Sequence, residues 1–302
     1  MIYDSIIVGG GPAGITAGIY LARANKKVAI IEKMAFGGQV AEIGLIENYP
    51  GFFNITGSDL AMNMYKQAKD LGVQFILDEV QAYELDSQIK KIKTRSKQYE
   101  AKTVILAIGS QPRKLNIENE KEFVGRGVSY CPTCDGNFFK GKNVAVVGSG
   151  DSAISNAQYL SNIAKKVYII SKYEPMKLKN TSLDEIENIT NIQIISPAQT
   201  KAIIGSDKVE GLEYEKDGKL IKVEIEGVFV SVGRNPDTES LSAILTLDEK
   251  GYIITDQNSQ TSVQGVFAAG DVVSGGLKQI ISAASSGAEA STSVLNYLSK
   301  TK

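Results

Sequence analysis

The chain has 302 residues, room for two domains at roughly 150 residues each. Its 33 basic and 34 acidic side chains leave a formal net charge of -1, with no global attraction for nucleic acid or an anionic membrane. It has no histidine, which excludes imidazole acid–base chemistry, and only two cysteines, too few for a structural disulfide framework.

The opening Met1-Ile2-Tyr3-Asp4 runs straight into a strand-like segment without the basic and apolar regions of a leader. No apolar run approaches the ~18 residues of a membrane span. A cytoplasmic location is therefore expected.

Residues 3–9 read as a buried strand. Gly9-Gly10-Gly11-Pro12-Ala13-Gly14 follows, then an apolar helix over 15–24 and a second strand over 27–32 ending on Glu32. In such a loop Gly9 permits the tight turn, Gly11 lets a pyrophosphate approach the backbone, and Gly14 lets helix and strand pack closely. The helix N-terminus offers N–H groups to the phosphates, and an acid at the end of the second strand accepts ribose hydroxyls. An apolar strand over 103–109 then ends in glycine and is broken by Gln111-Pro112.

Cys131-Pro132-Thr133-Cys134-Asp135 comes next. Two cysteines at this spacing suit a small, reducible disulfide, and a helix start favours the thiolate. Pro132 suits the first helical position. With no histidine available, Asp135 is the natural proton donor or acceptor during exchange. A tetrahedral zinc site needs four Cys or His ligands, and this chain has two, so no metal is expected.

The strand–glycine loop–helix–strand unit recurs with a strand over 143–147, the loop Gly148-Ser149-Gly150-Asp151-Ser152-Ala153, a helix over 154–163 and a strand over 166–170. Two such units, about 140 residues apart, predict two dinucleotide-type domains. A strand over 228–233 is broken by Asn235-Pro236. A strand over 265–269, Gly270-Asp271 and a small-residue helix over 279–298 close the chain. The fold predicted is α/β, with two Rossmann-like, three-layer (ββα/αβα) nucleotide-binding domains, the second inserted in the first. Residues 1–113 and 239–302 form the first domain and 114–238 the second. Locally, Gly270-Asp271 reads equally as a strand-end turn or as an acid for the ribityl hydroxyls of a flavin.

Taken in order, the loop 9–14, Gly37-Gly38-Gln39, Glu47-Asn48-Tyr49-Pro50-Gly51, the strand 103–109, Cys131 to Gly136, and Thr261 to Asp271 followed by Lys278-Gln279 resemble the low-molecular-weight thioredoxin reductases along the whole chain. The resemblance implies a first domain that binds FAD and a middle domain, NADPH-binding in typical members, that carries the redox pair. Gly9, Gly11, Gly14 and Glu32 would hold the ADP half of FAD. Gln39 and Asn48 would lie near the flavin, and Asp271 and Gln279 would hold its ribityl and ring region. Pro12, Ala13, Gly38, Gly109, Gly270 and Lys278 complete the cofactor-binding set. Cys134 becomes the flavin-proximal thiol, Cys131 the thiol that attacks the thioredoxin disulfide, and Asp135 the acid/base. The resemblance also implies a homodimer and thioredoxin as partner.

The middle domain departs from the family pattern. Typical members place an arginine cluster after its second strand to clamp the 2′-phosphate of NADPH. Here the place reads Ser171-Lys172-Tyr173-Glu174-Pro175-Met176-Lys177. Lysine attracts a phosphate but lacks the planar bidentate fork. Ser155 and Asn156 stand where two acids are usual. Three electron donors are compatible with this. The first is reduced ferredoxin without pyridine nucleotide, as in the ferredoxin-dependent flavin thioredoxin reductases; it fits the missing fork best. NADPH held by Lys172 and Lys177 and NADH are the alternatives. Residues 161–180 carry five lysines against one glutamate, which would steer an acidic ferredoxin or simply form a solvated basic face.

Overall fold

The computed structural model describes residues 1–43, 45–174, 176, 178, 183, 186 and 188–301. Two compact units emerge, one of residues 1–111 with 235–302 and one of residues 112–234. No helix among the described residues is long and apolar enough to cross a membrane.

The first unit is built on a seven-stranded sheet. Its parallel part runs Gln74–Leu77, Val28–Glu32, Ile2–Val8, Gln98–Leu106 and Val266–Ala268. The central strand Ile2–Val8 is buried on both faces, which explains its nearly unbroken apolar run. Ile7 points to one core layer, with Ile15, Leu21, Ala290 and Val294. Ile6 and Val8 point to the other, with Leu241, Ile253 and Val272. Burying a side chain as completely as Ile6 and Ile7 stabilises the fold by about 1.5–3 kcal/mol each.

Two predicted elements of this unit shift by three residues or more. The strand predicted over 103–109 begins earlier and ends earlier, at Gln98–Leu106, because beside Ile2–Val8 it serves two further partners on its other edge. Its first residues pair antiparallel with Lys90–Thr94, which pairs in turn with Val80–Glu84, while Val104 to Leu106 pair with Val266–Ala268. The antiparallel strands alternate polar and apolar residues and so contain no apolar run. The first helix spans Pro12–Arg23, not 15–24. Gly11 is its N-cap and Pro12 its first residue, where the missing N–H costs no hydrogen bond.

The C-terminal helix Ile280–Lys300 crosses the first helix with Gly287 at the point of closest approach: a Cβ there would overlap the Ala13 carbonyl oxygen. Gly287→Ala is therefore expected to cost about 1–3 kcal/mol, read as a fall in Tm, because overpacking displaces backbone rather than a flexible side chain. An unchanged Tm contradicts this.

The second unit holds a five-stranded parallel sheet in the order Val128–Ser129, Gly227–Val230, Asn143–Val147, Lys166–Ile170 and Ile192–Ile195. Its helix Asp151–Ser161 starts three residues before the expected 154, again because a glycine, Gly150, is the N-cap. A separate antiparallel sheet joins Gln199–Gly205, Val209–Lys216 and Lys219–Glu224. Its second hairpin turns on Asp217-Gly218, both at positive φ (53° and 71°), the combination that matches strand twist in a two-residue turn. This sheet was not anticipated from the sequence.

Candidate active site

The first candidate region lies at the carboxyl ends of the parallel strands of the first unit, where ligands bind in open α/β sheets. Gly9, at φ 107°, makes the turn out of Ile2–Val8, and a Cβ there would overlap the Ala107 carbonyl. A Cβ at Gly14 would overlap the Gly9 carbonyl oxygen, so this glycine is demanded by helix–strand packing. Gly11 faces open space, with nothing within 4 Å of its Cβ position. The N-terminus of Pro12–Arg23 is thus accessible to an anion such as a pyrophosphate. Glu32 ends the second strand and accepts the N–H of Gly10 at 2.7 Å and of Met34 at 3.0 Å. Each carboxylate oxygen retains lone-pair capacity for a ribose hydroxyl.

Residues distant in sequence gather at this end of the sheet. Gly37 donates its N–H to the Gly10 carbonyl at 2.7 Å, and Gly38, at φ 56°, would bring a Cβ within 3.2 Å of the Gly11 Cα. Gln39 donates from Nε2 to the Ser110 carbonyl at 2.8 Å, beside Gly109. Asn48 donates from Nδ2 to Gln279 Oε1 at 3.1 Å. Gln279 caps the C-terminal helix reciprocally with Ser282. Gly270, at φ 76°, packs against Ala13, donates its N–H to Ser286 Oγ at 2.8 Å and opens the turn carrying Asp271. Lys278 reaches the Val273 carbonyl at 2.7 Å and lies over the Tyr252 ring, 4.8 Å from its centroid. Glycines that leave the backbone bare, a helix N-terminus and a ribose-type acid fit a dinucleotide-shaped cofactor. Ser110 belongs to this cluster through its backbone carbonyl and Ser286 through its hydroxyl, and no sequence motif marks them.

The second candidate region lies in the other unit. Cys131 and Cys134 are joined by a disulfide. Cys131 is the N-cap of Pro132–Asp135, and its carbonyl accepts the N–H of Cys134 at 3.1 Å and of Asp135 at 3.0 Å. The helix has only four residues, so its macrodipole is small and the thiolate stabilisation expected from a helix start is correspondingly weak. The Thr133 hydroxyl, 3.5 Å from Cys131 Sγ, is a local hydrogen-bond partner instead. Burial pushes the Asp135 carboxyl above the usual range, partly offset by the Ser129 hydroxyl at 2.6 Å. Ser129 also accepts the Cys131 N–H at 3.0 Å. The roles of Ser129 and Thr133 are not legible in the sequence, because they depend on how the loop closes. Among the described residues, no three His, Cys, Asp or Glu side chains cluster as metal ligands.

The second glycine loop is closely packed as well. A Cβ at Gly148 would overlap the Ser231 carbonyl oxygen. The buried Ser171 Oγ lies 2.9 Å from Ser149 Oγ and 2.8 Å from the Tyr173 carbonyl oxygen. The Lys172 backbone N–H donates to Ser149 Oγ at 3.1 Å, and its ammonium lies 5.9 Å from the centroid of the Tyr173 ring. Asn156, in place of an acid, donates to Ser231 Oγ at 2.8 Å. Lys177 lies outside the described residues.

Residues 3–287 match the model of the pyridine nucleotide-disulphide oxidoreductase family. The thioredoxin reductase of Peptoclostridium acidaminophilum is 38% identical, over 98% of this chain and 97% of that protein. The crystal structure of thioredoxin reductase from Streptococcus pyogenes is 40% identical, with a TM-score of 0.92 over 99% of both chains. The thioredoxin reductase structure from Giardia duodenalis is 33% identical, with a TM-score of 0.93 over 98% of this chain and 99% of that one. An α/β chain matched from end to end, with a bonded Cys-x-x-Cys pair and a dinucleotide-type cradle, therefore belongs to the pyridine nucleotide-disulphide oxidoreductases and, within them, to the thioredoxin reductase family.

Proposed function

We propose that this chain reduces the disulfide of thioredoxin, passing electrons through Cys131 and Cys134. The observation that carries the reading is the reducible disulfide with a hydrogen-bonded, partly desolvated carboxyl, Asp135, on the same short helix. FAD is the cofactor of the family, and when bound it supplies the electron pair. The unit 1–111 with 235–302 is the FAD-binding domain in this reading. Gly9, Gly11, Gly14 and the first helix's N-terminus receive the pyrophosphate, and Glu32 receives the ribose. Gln39, Asn48, Asp271 and Gln279 orient the ribityl and ring region.

Cys134 is the thiol on the flavin side. Cys131, as thiolate, attacks one sulfur of the thioredoxin disulfide and forms a mixed disulfide, expelling the other sulfur as a thiolate. Cys134 then attacks Cys131, which restores the enzyme disulfide and releases the second thioredoxin sulfur. One disulfide opens as one closes: two electrons and two protons pass to thioredoxin, one proton by way of Asp135. Two copies of the chain form the working assembly, which sedimentation velocity tests directly.

For the electron donor, a pyridine nucleotide is the better-supported reading. Thioredoxin reductases from several organisms match 98% or more of the chain, and the pyridine nucleotide-disulphide oxidoreductase model matches residues 3–287. This reverses the preference for ferredoxin drawn from the missing arginine fork alone. NADPH would be held by the lysines that replace the fork, Lys172 among them. The ferredoxin reading keeps one specific observation in its favour: where typical members begin their arginine cluster, the Ser171 hydroxyl and the Lys172 N–H are both bonded to Ser149 Oγ.

Anaerobic mixing decides between them, with the flavin band near ~450 nm as the readout, because the cofactor carries the redox change. Rapid bleaching by micromolar NADPH is expected. Bleaching by reduced ferredoxin with both nucleotides inert overturns the nucleotide reading. Lys172→Ala is expected to raise KM for NADPH about tenfold, the effect of one lost charge-assisted hydrogen bond, with KM for NADH unchanged.

A further inference from the structure

Ser129 sits in the two-residue strand Val128–Ser129, opposite Phe229 of the neighbouring strand, and is 5% exposed. Its Oγ lies 2.6 Å from Asp135 Oδ2 and 3.0 Å from the Cys131 backbone nitrogen. A hydroxyl has one hydrogen to give, and the Cys131 N–H can only donate. Ser129 therefore accepts from Cys131 and donates to the Asp135 carboxylate. The Cys131 carbonyl, at 3.4 Å, is the poorer acceptor for the same hydrogen.

We propose that Ser129 is a positioning residue for the disulfide exchange: its hydroxyl ties the Asp135 carboxyl to the Cys131 backbone and sets the pH at which that carboxyl gives up its proton. The inference rests on Asp135 being the acid/base of the exchange.

The physical case is a balance of two effects. Burial disfavours the charged carboxylate, and a donated hydrogen bond favours it. The Ser129 hydroxyl is the group among the described residues that supplies this counterweight. Other titratable groups on the surrounding elements are Asp151 and Tyr159 on the helix Asp151–Ser161, Tyr130 beside the strand, and Lys140 beyond the next turn. The Tyr130 hydroxyl is turned onto the Glu120 carboxylate at 2.9 Å. Ser129 thus does two things at once. It keeps Asp135 beside the loop whose sulfur must gain and lose a proton, and it opposes the rise that burial imposes on that carboxyl.

The test uses the full-length FAD-loaded protein and the pH profile of thioredoxin reduction under saturating donor. Asp135→Asn is expected to remove one limb of the wild-type profile. Ser129→Ala is expected to move that limb about one pH unit or more towards higher pH, since a hydrogen bond to a charged group is about that strong. Ser129→Thr, which keeps the hydroxyl, is expected to return the limb to its wild-type position. If the alanine variant does not fold, Ser129→Cys, a weaker donor of similar size, is expected to give a smaller shift of the same sign. A limb lost in Asp135→Asn but unmoved in both Ser129→Ala and Ser129→Cys overturns the role of Ser129 and leaves that of Asp135 standing. A profile unchanged in Asp135→Asn overturns both.

Discussion

Cys131→Ser is expected to abolish thioredoxin reduction, by at least about 10⁴-fold, the scale on which other enzymes lose activity with their nucleophile. A serine hydroxyl neither attacks a disulfide at neutral pH nor forms a stable mixed disulfide, so the exchange has no first step. Unfolding is not the explanation to fear. Cys131 and Cys134 close a very short loop, and the loop-closure relation gives such a link only about 2 kcal/mol. Flavin content and Tm should therefore remain close to wild type while turnover disappears. Cys134→Ser is expected to fail differently. Cys131 still attacks, but nothing resolves the product, and a covalent complex with thioredoxin accumulates on non-reducing gels. Sustained turnover by Cys131→Ser, or trapping by that variant rather than by Cys134→Ser, reverses the assignment of the two sulfurs.

Asp135→Asn is expected to separate activity from stability. Turnover should fall about 10²–10⁴-fold, the usual contribution of a positioned acid or base. Stability should rise at neutral pH, and the sign follows from proton linkage. An unfolded aspartate ionises near ~3.9, whereas burial raises the folded value for Asp135. Between those two values the folded chain holds a proton that the unfolded chain has released, so wild-type stability declines as pH rises through the window. Below it both states are protonated and the difference vanishes. Asparagine has nothing to ionise. The Tm of Asp135→Asn should exceed that of wild type at neutral pH, and the gap should close as the pH falls towards ~4. Equal Tm values at every pH remove the desolvation argument. Turnover within about twofold of wild type removes Asp135 from the chemistry.

Different parts of the molecule were legible in the sequence to different degrees. Both glycine loops, with the strands and helices around them, are local patterns: an apolar run, a glycine turn and a helix start lie within about 30 residues of chain. The strands Asn143–Val147 and Lys166–Ile170 carry the bounds expected of them, because both are short apolar runs cut off by polar residues or glycine. The helices began earlier than read, since the expectation started at the first apolar stretch rather than at the glycine N-cap. The antiparallel strands were missed for the opposite reason. Lys90–Thr94 alternates lysine with isoleucine and threonine, and Lys219–Glu224 is mostly exposed, so neither has a continuous apolar signal. Asp217-Gly218 is the one local cue to this hairpin in the sequence.

By itself, the sequence determined that the chemistry is thiol–disulfide exchange, that no histidine takes part, and that an acid follows the second cysteine. These depend on which residues exist and on spacings of a few positions. Tertiary structure alone decided what surrounds them. Asn48 meets Gln279 across 231 positions, Gln39 meets the Ser110 carbonyl, and Gly287 lets two helices touch at Ala13. Even the short-range contact of Ser129 with Asp135 needs the loop to close around Cys131 before the hydroxyl and carboxylate can meet. Such contacts come from the packing of whole elements, which is fixed by the burial of apolar surface across the sheet and is not encoded at any one position.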